Sequence, residues 1–334
     1  MALVKVAFTK WFTLGVLFVM IHCDAGRVQA SERRQELTLA GPPSVVSFPL
    51  IHMVESGALA AFADHVRFEM WSNPDQLRVL VIKKQADIAA VPSNVAANLY
   101  NRGAHVRLLN ISTWGILWIV SRDKDRFTLP DFQGETIAVP FRGDMPDILF
   151  DTLVQEAGLD IRKDFAVRYV ASFLDAAQLL LARQIRHALL AEPMVSLVME
   201  RSRSLPANAG VADLYRDVSF HVEWGRLFNR EKRIPQAGII SIGDCNQELV
   251  KAVIDAYASS LEWCQANPEA CGALAVKYLG MITVPAAVQA IRSSPMEAIQ
   301  SSLVKESLSF FYKILLKKNP ALIGGKMPDE NFYF

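Results

Sequence analysis

From Leu37 onward, short runs of Val, Ile, Leu and aromatic residues alternate with stretches whose apolar positions recur at helical spacing. This is how a mostly parallel sheet joined by crossover helices reads in sequence. Strands are predicted at 37–40, 66–71, 88–91, 106–111 and 116–121. Between them Asp75 opens a helix with Leu77, Leu80 and Val81 on one face, and Ser93 or Asn94 opens another that runs to about Tyr100. A second series follows a polar, charged stretch at 121–130: strands at 136–139, 166–170 and 188–191, each followed by a helix, at 144–157, 172–183 and 194–201. After a polar loop at 202–210, strands at 218–224 and 237–242 return the chain, and no strand pattern survives beyond Ile242. Asp244 and Gln247 form a capping-box pair for a helix to about Ala266, and further helices start at Pro268, Pro285 and Pro295.

Two βα series with two crossings predict an α/β chain of two lobes, each a mostly parallel sheet flanked by helices, with a hinge between them. The expected first lobe is discontinuous, 31–120 with 221–334, and the second is 121–220. A length of 334 residues, 51% of them hydrophobic, suits two such cores.

The first thirty residues follow a different rule. Lys5 and Lys10 precede an apolar run from Trp11 to Ile21, which ends in the small-residue sequence Val28-Gln29-Ala30. That order is a secretory signal peptide over 1–30 with cleavage after Ala30, and it implies a periplasmic product. The run is shorter than the roughly 20 residues a spanning helix needs. Cys23 raises lipid attachment as an alternative, but His22 is a poor residue to precede an acylated cysteine.

The formal charge is +1, with basic and acidic residues scattered, so no footprint for nucleic acid exists. Of the cysteines after the signal peptide, Cys264 and Cys271 flank Asn267-Pro268, an N-cap and first helical residue. They lie on adjacent helices at a tight corner, either as a disulfide or as two small buried thiols.

Several stretches resemble the periplasmic solute-binding proteins of ABC importers, in the branch associated with nitrate, alkanesulfonates, taurine and the pyrimidine precursor of thiamine. They are Gln85-Ala86-Asp87-Ile88-Ala89-Ala90, the segment from Asp131 through Gly134 to Pro140, Ala191-Glu192-Pro193, and Asn319-Pro320 through Gly324-Gly325 to Asp329. The resemblance implies a type II periplasmic-binding-protein fold, a small polar or anionic organic ligand held between the lobes, and an inner-membrane permease with its ATPase as partner. It also implies a monomer without a cofactor.

In such folds ligands meet loops at the carboxyl ends of strands, where helix N-termini present unpaired N–H groups. The corresponding loops hold Ser44 and Phe48, then Ser93 and Asn94, then Phe141, Arg142, Gly143 and Asp144, and last Glu192. Arg142 is the cation of this set, suited to gripping an anion in bidentate fashion or else a solvated loop residue. Gly143 permits close backbone approach or a bare turn, and Asp144 reads as a helix cap. Ser93 and Asn94 are ligand donors or ordinary helix starters. Glu192 either binds an amino group or complements a helix N-terminus. Trp114 stacks on a ligand or packs in the core.

One enzyme of this fold family makes the thiamine pyrimidine with a cysteine cluster and a histidine, but no such cluster exists here. His52, His65, His105, His187 and His221 show no helical metal-pair spacing, and no nucleophile elbow occurs. Capture without catalysis or metal is therefore expected, with ligand sensing for a membrane receptor as the alternative and a pyrimidine-synthase-like enzyme behind it.

Overall fold

A computed structural model describes residues 33–204 and 214–334. The expected signal peptide lies outside the described residues, as does most of the polar loop after residue 204. In chain order the first elements are β1 (Arg34–Gly41), α1 (Phe48–Glu55), β2 (Ala63–Met70), α2 (Pro74–Ile82), β3 (Ile88–Pro92), α3 (Ser93–Asn101) and β4 (Val106–Thr113). The second series is β5 (Leu117–Ser121), β6 (Thr136–Pro140), α4 (Met145–Glu156), β7 (Ala166–Val170), α5 (Phe173–Leu181), β8 (His187–Ala191), α6 (Met194–Ser204), β9 (Tyr215–Ser219) and α7 (Phe220–Phe228). The chain then returns through β10 (Ala237–Ile242) to α8 (Gln247–Ala266), α9 (Pro268–Leu279), α10 (Val284–Ser293), β11 (Met296–Gln300) and α11 (Lys305–Lys318).

The strands form a six-stranded sheet, β11-β4-β10-β3-β1-β2, and a five-stranded sheet, β7-β6-β8-β5-β9. Both are mixed. In the first, β1 pairs in parallel with β2 and β3, whereas β10 pairs antiparallel with β3 and β4. In the second, β6 is parallel to β7 and β8, and β5 is antiparallel to β8 and β9. Each sheet thus has an antiparallel strand inserted beside its third parallel strand, in each case the strand delivered by the crossing chain, and the first sheet has a second antiparallel strand, β11, at its edge. The central strands β3 and β8 read Ile-Ala-Ala-Val and His-Ala-Leu-Leu-Ala and are buried throughout these stretches, as strands covered on both faces must be.

The structure departs from the sequence reading at several places, among them the return boundary at residue 221, since α7 packs on α4, β5 and β9. The expected boundary at residue 121 puts strand 116–121 in the first lobe, but β5 lies in the second sheet, so the crossing falls at Trp114–Ile116. The run 218–224 divides into β9 and α7, because its apolar residues Phe220 and Trp224 share one helical face buried on the core. Beyond Ile242 one strand does occur, in place of the helix expected from Pro295: β11 closes the edge of the first sheet against β4, where its half-buried residues carry no strong alternation. Finally, two helices start at other caps than expected. The Asn73 side chain accepts from Gln76 N, and the Asn246 side chain accepts from Leu249 N.

The two crossings run side by side. Ile234 N donates to Trp114 O (2.9 Å), Gln236 N donates to Thr113 O (3.0 Å), and the buried Gln236 side chain accepts from Ile116 N at 3.1 Å. Gly115 sits here at φ +133°, and a Cβ would lie 2.4 Å from that of His221, so both the backbone angle and the space require glycine. In β10, Gly238 lets the backbone of β4 approach, since a Cβ would stand 1.9 Å from Asn110 O.

The helices after β10 pack on the first sheet but reach further: α9 packs on α1 and α10, and α10 packs on α6 of the second series. Cys264 and Cys271 are joined by a disulfide across the α8–α9 corner, with Cα atoms 5.1 Å apart.

Two stability predictions follow from these contacts. Replacing both cysteines by serine is expected to cost about 2 kcal/mol, the entropy of a short closed loop, read as a lower urea midpoint with unchanged slope. Reductant should change the melting of the natural chain but not of the double variant. Gly238→Ala is expected to destabilise by about 3 kcal/mol, because the clash is with backbone and not with a movable side chain; an unchanged thermal midpoint would contradict it.

Candidate functional site

A cavity of about 320 Å³ lies between the two sheets, bounded by loops at the carboxyl ends of strands. The first series contributes Ser44 and Val46 after β1, Trp71 and Leu77 after β2, and Pro92 and Val95 at the β3–α3 junction; the second contributes Phe141, Asp144 and Met145 after β6, Ser172 to Leu174 after β7, and Glu192 and Met194 after β8. Ile116, Gln236 and Ala237 of the crossings and Met281 and Ile282 between α9 and α10 complete it. Its lining is dominated by Val, Leu, Ile, Met and aromatic side chains. Phe141 and Phe173 meet edge to face at 5.4 Å on one wall, and Trp71 stands on the first-sheet side.

Glu192 is the most constrained group in this lining. It ends β8 at the entrance to α6, joined to Pro193 by a cis peptide, and is 1% exposed. Burying a carboxylate is costly unless it is paired and hydrogen-bonded, and here both oxygens are supplied. Arg216 of β9 reaches Oε1 at 2.8 Å, and Ser293 Oγ of α10 donates to the same oxygen at 3.0 Å. Oε2 accepts from Ser196 Oγ (2.8 Å) and Ser196 N (3.1 Å). The carboxylate therefore lies at the N-terminus of α6, where the helix dipole favours it. On the other side, Ser44 Oγ of the first series donates to Glu192 O at 3.2 Å.

Asp144 occupies the N-cap position of α4, but its side chain makes no cap bond. Instead Arg78 of α2, which is not in the cavity lining, pairs with it from the first series at 3.0 Å. Burial pushes the Asp144 carboxyl above the usual range, and Arg78 opposes that shift.

Of the expected site residues, Ser44, Phe141, Asp144 and Glu192 stand in the cavity wall. The other expected site residues lie elsewhere. Phe48 starts α1 and is buried in the main core. Ser93 is fully buried, with Oγ donating to Pro235 O at 2.5 Å, and Asn94 is buried beside it. Trp114 packs behind the crossing, its Nε1 donating to Glu297 O at 2.8 Å and its face covered by the Arg233 guanidinium at 4.0 Å. Arg142 is exposed and stands over the Tyr169 ring at 4.8 Å, outside the cavity lining. Gly143 has φ +81° with open space around it and donates its N–H to Asp147, so the turn explains it.

Trp71, Phe173, Gln236 and Arg216 escaped the sequence reading. Trp71 was findable, since it follows a parallel strand and precedes a helix-opening Asn73-Pro74, as the other loops do. Arg216 was not, because its partner lies on a strand two places away in the sheet.

One further cluster joins residues that spacing left apart. His187 is fully buried at the start of β8, with Nε2 3.5 Å from Glu135 and 3.7 Å from Asp123. Arg126 bonds both carboxylates and Arg186 also bonds Asp123, so cationic side chains already meet these acids. Burial holds the His187 imidazole below its ordinary pKa, against the pull of the two acids.

No family model matches this sequence, and no curated protein matches it. Solved structures do. An ABC transporter protein from Parabacteroides distasonis superposes with TM-score 0.74 at 20% identity, covering 90% of this chain and 99% of that one. The periplasmic aliphatic sulphonate binding protein SsuA of Escherichia coli gives 0.65 at 13% identity, covering 88% and 92%. The periplasmic nitrate-binding protein NrtA of Synechocystis PCC 6803 gives 0.66 at 14% identity, covering 86% and 82%. What this chain has in common with them is the fold, the two-sheet architecture of type II periplasmic binding proteins.

Proposed function

We propose that this chain is the extracytoplasmic solute-binding component of an ABC importer, which captures a small organic molecule between its lobes and presents it to a permease with its ATPase. The observation that carries the reading is the cavity itself, walled by carboxyl-end loops of both sheets, with the Arg78–Asp144 and Ser44–Glu192 contacts joining the two series beside it. A ligand that touches both walls stabilises the closed arrangement over any opened one, and that difference is what a permease can recognise. The likeness to sulphonate- and nitrate-binding proteins supports the same role, and the N-terminal Lys5 to Ala30 pattern supports export. No covalent step is part of this reading; the carboxylates of the cavity are held by arginines and serines rather than poised on a reacting group.

The test is recovery of a solute from exported protein. Chain purified from the periplasm should begin at Ser31 by intact mass and release a stoichiometric small molecule on denaturation, and adding that molecule back should raise stability by about 2.7 kcal/mol at a hundredfold excess over Kd. Protein that retains nothing, and whose melting responds to no fraction of a growth-medium extract, contradicts capture.

A second prediction concerns the cavity floor. Arg216→Ala leaves the Glu192 carboxylate buried without its cation and is expected to cost about 3–5 kcal/mol in chemical denaturation. Adding Glu192→Gln should restore part of that loss, whereas additive losses would show that the two residues are not coupled.

A further inference from the structure

Resting on the capture reading, we infer that Gln236 fixes one end of the captured solute: its side-chain amide N–H donates to an acceptor atom of that solute, while its carbonyl oxygen stays bonded to the outgoing crossing at Ile116. The class selected carries an oxygen or a ring nitrogen at the end that meets the crossings, since an ammonium or a hydrocarbon end has no lone pair to receive the proton.

Alternation along the returning crossing places the side chain. Pro235 lines a separate cavity with Trp114, Trp224 and Phe310, whereas Gln236 lines the cavity between the sheets. Gln236 is 7% exposed, and all of its polar groups but one are engaged. Its backbone N–H donates to Thr113 O and its backbone O accepts from Ser93 N, each at 3.0 Å. Oε1 accepts from Ile116 N at 3.1 Å. That last bond decides which way the amide lies, because a backbone N–H can meet only the oxygen, and the NH2 group must take the other position. Among the described residues Nε2 has no partner, and it is not an enclosed atom as Trp71 Nε1 is.

Among the described residues, the other buried and half-buried side chains of the lining offer no comparable donor. The Ser44 hydroxyl donates to Glu192 O, and the Ser172 hydroxyl donates to Asp175. Asp144 and Glu192 present acceptors, held by Arg78 and Arg216 at 3.0 and 2.8 Å.

A donor fixed by bonds at its neighbouring atoms is pre-organised, so the solute gains its hydrogen bond without ordering the side chain. It also discriminates. A solute that displaces water from Nε2 and offers no acceptor leaves an N–H unpaired in a wall of Val, Leu, Ile, Met and aromatic side chains, and a site built to donate rejects such an analogue strongly. Because Oε1 and Nε2 belong to one rigid amide, the contact that selects the solute is joined through Ile116 N to the segment that connects the two sheets.

The experiment compares the exported full-length chain with Gln236→Glu, which keeps an oxygen for Ile116 N–H but removes the donor. Both are purified in parallel from the periplasm, and the small molecules each releases on denaturation are quantified by mass spectrometry. The fraction released by the natural chain is then titrated by calorimetry into solute-free protein of each kind. Gln236→Glu is expected to retain a small part of what the natural chain retains and to bind the fraction about tenfold more weakly, with the solute-free thermal midpoint close to that of the natural chain. A residue that only held the crossings together would not respond, because Ile116 N keeps its acceptor. Equal retention and affinity overturn the inference, and so does a released solute that has no acceptor atom. Gln236→Met, uncharged and of similar length, guards against a folding failure of the first variant: unchanged affinity in it overturns the inference as well. The side-chain amide resonance that it removes also reports on Gln236 in isotope-labelled natural chain, where a shift on adding the fraction supports donation and an unmoved signal overturns it. Solute held equally by Gln236→Glu leaves capture standing and removes this inference alone, whereas a natural chain that releases no solute removes both.

Discussion

The buried charge of Glu192 is the constraint around which the rest of the cleft is arranged. A carboxylate 1% exposed at the end of β8 has to be met by donors on every side, and those donors come from α6, β9 and α10. Its backbone carbonyl meets Ser44 of the opposite wall. One residue thereby joins the central strand of the second sheet, its last strand, the late helical block and the first βα loop. Such an ion pair contributes little net stability when compared with well-packed apolar groups, but removing one partner is severe. Its effect here is to fix how four elements meet at the cavity floor.

A second constraint is the pairing of the two crossing segments. Thr113, Trp114 and Ile116 exchange hydrogen bonds with Ile234 and Gln236, so the chain leaving the first sheet and the chain returning to it form one ribbon. Each then enters its new sheet as the inserted antiparallel strand. The arrangement leaves no room for a side chain at Gly115, against His221, or at Gly238, against Asn110.

Most of the architecture was readable from periodicity, because β3, β8 and the helices between strands are regular in length and in apolar spacing. The departures have local causes. The segment from Tyr215 to Phe228 carries apolar residues that fit a strand or a helix, and only packing of Phe220 and Trp224 decides between them. Strand β11 has no alternation to announce it, since it is an edge strand set by pairing with β4. For the site, sequence position located the loops but not which side chains turn inward. Ser44, Phe141, Asp144 and Glu192 line the cavity, while Arg142, one residue from Phe141, points to Tyr169. The electrostatic character of the cavity was illegible for the same reason: it depends on Arg216 and Arg78, each distant in sequence from the acid it neutralises.

The contact of α10 with α6 gives the molecule a third connection besides its two crossing strands. A rotation of one sheet against the other about the crossing ribbon would leave that ribbon nearly still but would disturb the α10–α6 contact, which lies away from it. On the α10 side Ala286 packs with Val195 and Val198 of α6, while Ser293 bonds Glu192 and Thr283, the cap of α10, bonds Glu200. Because both bonds must break before α10 can leave α6, this seam opposes separation of the two sheets.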